Sequence, residues 1–205
     1  MEEYYQYIKK RFKKWAKFYD LTWIPINYLR RKTVKFANIS KDKKILDICT
    51  GTGDLAITFA KQGNEAVGID LSREMIEVAK KKNKFKNLKF GVADATKLPF
   101  ENNSFDVVTS SFGLHEMPKS VMLKVLGEVK RVLKNNGEFI IVDFYKGKTL
   151  FFKLAYPFIK LFECRYYSDF INLDFNNILR EQGFKMEKEE IVLRGVGRML
   201  MLELL

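Results

Sequence analysis

The chain has 205 residues, 47% of them hydrophobic and 30% charged, with a formal net charge of +12. That length suits one domain, residues 1–205, with a buried core, and no uninterrupted apolar run is long enough to span a bilayer. The basic excess fits an anionic partner or the lysine-rich solvated surface that hyperthermophiles favour. Cys49 and Cys164 suggest neither a disulfide framework nor a zinc site, and the start lacks the apolar core of a signal peptide, so the expected compartment is the cytoplasm.

Residues 4–19 set Tyr5, Ile8, Phe12, Trp15 and Tyr19 at helical spacing, with Lys9, Lys10, Arg11, Lys13, Lys14 and Lys17 around them. Such a basic amphipathic helix either lies on an anionic membrane or docks by its apolar stripe as a lid. A second helix is expected over 26–38, after Pro25, and residues 1–40 are read together as an N-terminal helical lid. Ile45, Leu46 and Ile48 then form a buried parallel strand. It runs into the turn Cys49-Thr50-Gly51-Thr52-Gly53, and a helix follows from Leu55 to the stop at Gly63. Free amides and the helix dipole in such a turn are expected to make an anion-friendly pocket. Asp47, four residues before Gly51, suits an amine or other cation better than a phosphate.

Further strands are predicted at 66–69, ending in Asp70, at 88–92, leading to Asp94, at 105–109, and at 138–144. Ser72 is a good N-cap for the helix after Asp70, and Pro118 opens a helix running to Leu133. Repeated strand and helix imply a parallel sheet with helices on both faces. Residues 185–193 and 198–204 break the pattern as an antiparallel hairpin around Gly195 and Gly197. Residues 146–175, rich in aromatics and broken by Pro157, read as an insertion covering the substrate, or alternatively as ordinary core helix.

Asp47-x-x-x-Gly51-x-Gly53, Val-Gly-Ile-Asp70-Leu-Ser, Ala-Asp94-Ala-Thr-Lys-Leu-Pro-Phe and Ser-Phe-Asp-Val-Val-Thr-Ser-Ser-Phe-Gly-Leu-His resemble, in order, the motifs of class I S-adenosylmethionine (SAM) dependent methyltransferases. The closest resemblance is to the menaquinone/ubiquinone-biosynthesis C-methyltransferases, with phospholipid N-methyltransferases as neighbours. It covers about residues 44–143 and departs where the family's first loop glycine is Cys49. It implies a Rossmann-like α/β fold: a mostly parallel seven-stranded sheet with a C-terminal antiparallel hairpin. It also implies SAM as cofactor, with S-adenosyl-L-homocysteine as product. Asp70 then takes the ribose hydroxyls, Asp94 the adenine amine and the Ala95 amide the ring, while Leu71 and Met75 pack on the adenine face. Asp47 holds the methionine ammonium, helped by Thr50, Gly51 and Gly53, with Ser110 and Ser111 at the next strand end. Tyr19 matches a family tyrosine near the cofactor.

Ligands of open α/β sheets bind beyond the carboxyl ends of the strands, where these residues fall. A nicotinamide dehydrogenase can be squeezed onto the same glycines, but Asp47 and Asp94 argue against it. His115, the single histidine, stands where an acceptor should sit. It is a candidate base toward a hydroquinone proton, weighed against a structural or orienting role, and no metal cluster is visible. The acceptor reads first as a quinone precursor or lipid-like molecule reached by peripheral membrane contact, then as a small soluble molecule. Nucleic acid ranks last, and nothing sets the oligomeric state.

Overall fold

A computed structural model describes residues 2–15 and 24–205. The expectation for Tyr19 falls outside these residues. Helices α1 (Glu2–Trp15) and α2 (Ile24–Ala37) precede β1 (Lys44–Ile48), α3 (Asp54–Lys61), β2 (Glu65–Asp70), α4 (Arg73–Lys82) and β3 (Leu88–Val92). Then come β4 (Phe105–Ser111), a 3-10 turn (Leu114–Glu116), α5 (Lys119–Val132) and β5 (Leu133–Phe144). The chain continues through α6 (Leu150–Phe162), α7 (Tyr167–Ile171), α8 (Phe175–Glu181), β6 (Phe184–Val192) and β7 (Gly197–Leu204). The helix predicted at 26–38 begins two residues earlier, and β5 begins where α5 ends rather than at 138. A bulge between Phe105 and Val107 of β4 marks where β5 takes up the extra residues around Asn136 and Gly137.

The seven strands lie in the order β3-β2-β1-β4-β5-β7-β6. All neighbours are parallel except β7, which is antiparallel to β5 and β6. Alternation along β1 shows why both faces are covered. Leu46 and Ile48 join one core with Val125, Leu126 and Val129 of α5. Ile45 joins another with Leu55 and Phe59 of α3 and Ala79 of α4. The strand order reverses between β1 and β4, both bonded along Ile45–Ile48, so a crevice opens at the carboxyl end of β1. Ser72 caps α4 as expected, its side chain accepting from the Met75 amide.

Candidate active site

Two adjoining cavities share Cys49 at this crevice. One is lined by Asp47, Thr50, Gly51 and Ser111 together with Arg30 of α2. The other is lined by Asp70, Leu71, Asp94 and Ala95 together with Tyr4 and Tyr5 of α1. The fold thus draws most of the sequence-derived residues to one cleft. Gly53 serves the turn itself, at φ 83°, where an added Cβ would stand 2.4 Å from the Phe90 ring. Met75 is buried on α4 and is not among the residues lining the cavity of Asp70 and Asp94. Ser110 is buried, and its Oγ has no hydrogen-bond partner among the described residues.

Each acid is oriented by donors of the chain. Asp47 accepts from Thr109 Oγ1 at 2.6 Å and from Thr50 Oγ1 at 2.5 Å. Burial lifts its carboxyl to about 6 despite those two bonds and the Arg30 charge. Asp70 accepts from the Gly51 and Ser72 amides, both at 2.8 Å, and burial again raises it. Asp94 accepts from the Thr96 amide at 2.8 Å and from the Tyr5 hydroxyl at 2.7 Å. A carboxylate has about four lone-pair sites, so each retains capacity for a ligand.

Three amides of the turn are already used by the chain itself. The Gly51 N–H donates to Asp70, while those of Thr50 and Gly53 donate to the Ile69 and Thr50 carbonyls. With these amides engaged within the chain, the remaining donors of the cradle fall to the first turn of α3. Cys49 adopts the left-handed conformation, φ 53°, which a glycine would take without strain. Its side chain fills the space beside Gly113, where an added Cβ would stand 2.5 Å from the Cys49 Cβ.

His115 lies deeper, against the rings of Phe144 (4.7 Å between centroids) and Tyr167 (6.5 Å). Its Nδ1 is 2.7 Å from Asp143 Oδ1, and its Nε2 faces Glu163 at 3.5 Å and Glu116 at 3.8 Å. Burial alone would push the imidazole down, but Asp143, Glu163 and Glu116 raise it to about 10. Arg11 of α1 closes the cluster, with Nε 3.3 Å from Glu116 and Nη2 3.8 Å from Glu163.

No metal-ligand spacing is visible in the sequence here. The fold nevertheless brings ligand atoms of His115, Glu116 and Cys164 within 4.8 Å of one another, Cys164 arriving from 49 residues away. Arg11 already supplies a cation to that group. Arg11, Arg30, Tyr4, Glu116 and Glu163 were not singled out, because no motif spacing ties them to the strand ends. Asp143 was legible in principle, since it too is an acid at a strand terminus.

Sheet order and the antiparallel terminal strands together define the class of fold, a Rossmann-like α/β sheet. A SAM-dependent methyltransferase from Aquifex aeolicus superposes with a TM-score of 0.69 at 21% identity, over 86% of this chain and 89% of that one, which bears on the fold alone. The chain belongs to the ubiE/COQ5 methyltransferase family, whose profile matches residues 2–163.

The ubiquinone/menaquinone biosynthesis C-methyltransferase UbiE of Rickettsia felis is 44% identical over 124 residues, 56% of this chain and 49% of the relative. A demethylmenaquinone methyltransferase of Staphylococcus aureus is 40% identical over 146 residues, 65% of this chain and 60% of the relative. The matches thus span about half to three-fifths of those relatives' length.

Proposed function

We propose that the protein transfers a methyl group from SAM to a small apolar acceptor, a quinone precursor. The observation that carries the SAM half is the set of Asp47, Asp70 and Asp94 at successive strand ends, held by chain donors around one cleft. The residues fit the cofactor. Asp70 would hold the ribose hydroxyls, Asp94 and Ala95 the adenine edge, and Asp47 the ammonium. Arg30, which lines the Asp47 cavity and pairs with Asp54, would extend its remaining donors to the methionine carboxylate. SAM supplies a methyl group already activated by its sulfonium. The chain's task is therefore positioning and the exclusion of water.

The acceptor half rests on the quinone-biosynthesis relatives and on the aromatic surroundings of His115, Phe112, Phe144, Tyr167 and Phe170. As an imidazolium, His115 lacks the lone pair that a base needs. Its bond to Asp143 and its approach to Glu116 and Glu163 favour an orienting role over proton abstraction. Asp47 and Asp94 weigh against a dinucleotide. Titration calorimetry should show SAM and S-adenosyl-L-homocysteine binding and no NAD binding. Asp70→Ala should weaken SAM by roughly 1–3 kcal/mol through unpaired ribose hydroxyls. Binding of NAD with none of SAM sinks the proposal.

A further inference from the structure

Helix α6 is apolar on two sides. Phe152 is buried, and Ala155, Tyr156 and Ile159 pack partly buried against the main core. Leu150, Phe151, Leu154, Phe158, Leu161 and Phe162 face outward instead, Leu154, Phe158 and Leu161 being 65%, 70% and 76% exposed. At 3.6 residues per turn these six share an arc of roughly 120°, a contiguous patch of the kind that marks an interaction surface. Lys153 and Lys160 lie two turns apart at one edge of the arc, and Lys146 and Lys148 precede the helix, all four exposed. Residues 144–162 contain no aspartate or glutamate.

We infer that this outer face of α6 docks on an anionic membrane surface. An apolar arc bordered by lysines enters the boundary between head groups and acyl chains while its cations meet anionic head groups. A second copy of the chain is the poorer occupant, since a self-paired face would set lysines near lysines with no acid to offset them. The same charge pattern disfavours a basic protein partner.

Residues 4–19 carry two sequence readings, a membrane contact or a docked lid. Yet Tyr4 and Ile8 of α1 are buried in the core, so α6 presents the apolar face. Among the described residues no helix is long and apolar enough to cross a membrane, and contact through α6 is peripheral. Immediately after Phe162, Glu163 reaches His115, while Tyr156 on the inner face packs on Tyr167. The docked helix therefore ends at the aromatic site. That consequence, delivery of a lipid-like acceptor, rests on the methyl-transfer reading; the docking surface does not.

The test is co-sedimentation of the full chain with phosphatidylglycerol/phosphatidylcholine vesicles and with phosphatidylcholine alone, at low and high salt. A triple variant, Leu154→Ser, Phe158→Ser and Leu161→Ser, runs alongside. These side chains are exposed, so the variant should keep its circular dichroism spectrum and its affinity for SAM in lipid-free calorimetry. We expect binding to anionic vesicles that weakens about fivefold for each lysine replaced by glutamine and at least about tenfold in the triple variant. Three results overturn the inference: no binding to anionic vesicles at low salt, equal binding by the triple variant, or a wild-type dimer that the triple variant dissolves. Lipid-free SAM binding is read separately, so failure of the surface and failure of the cofactor reading are distinguishable.

Discussion

Asp47 is the residue on which burial and binding pull in opposite directions. Its carboxyl is raised to about 6 by burial, against the hydrogen bonds from Thr109 and Thr50. A folded value above the unfolded one means that folding favours the protonated acid. The resulting stability is fully present below the unfolded value and is lost as pH rises toward about 6. A bound ammonium needs the opposite state, the carboxylate. SAM affinity should therefore be flat above about pH 7 and fall below about pH 6, toward tenfold per pH unit. Asp47→Asn, which keeps one acceptor oxygen for one threonine and presents a donor N–H to the other, should bind more weakly at neutral pH and lose that dependence. Calorimetry across this range is the measurement, and an affinity indifferent to acid would show that Asp47 does not meet the ammonium.

Helix α1 brings the same conflict to the adenosine side. Its Tyr5 hydroxyl donates to Asp94, the acid proposed for the adenine amine, and Tyr4 lines that cavity. Arg165 fastens the helix, pairing with Glu3 at 2.9 Å and stacking on the Tyr7 ring at 4.7 Å. If α1 must release Asp94 when the cofactor enters, Tyr5→Phe removes one bond from the closed state. That half-exposed bond is worth about 0.5–1 kcal/mol, so SAM should bind two- to fivefold more tightly by calorimetry. An unchanged or weaker affinity would mean that α1 stays in place. The helix was legible in the sequence because Tyr5, Ile8 and Phe12 repeat at helical spacing. Its docking was not, because periodicity reports that a stripe is apolar and not which surface covers it. The same limit applies to α6, whose inner and outer faces are both apolar.

For the molecule as a whole, the sheet was readable because each parallel strand is a short apolar run closed by an acid or a turn, and because β6 and β7 lie too close in sequence for a crossover. Asp47, Asp70 and Asp94 were readable for the same reason, as strand-end positions. What remained hidden depends on side chains converging from distant segments. Arg11 of α1, Glu116 of the 3-10 turn, Asp143 of β5 and Glu163 after α6 meet around His115, and no spacing in the chain announces that meeting. This cluster ties α1, the sheet and the segment after α6 together, so its protonation should register in global unfolding. His115 is raised from an ordinary 6.5 to about 10. Its contribution is therefore complete below about pH 6.5 and is lost as pH rises toward about 10. His115→Gln keeps a donor toward Asp143 without the charge. Wild type should melt well above this variant near pH 6, and the gap should close steadily by about pH 10 as the imidazolium loses its proton. Lysines and tyrosines that titrate near the upper end affect both proteins alike and cancel in the difference. Thermal unfolding of the pair across this range decides the matter: a gap that stays constant with pH would show that His115 is neutral in the folded protein, and would restore it as a candidate base.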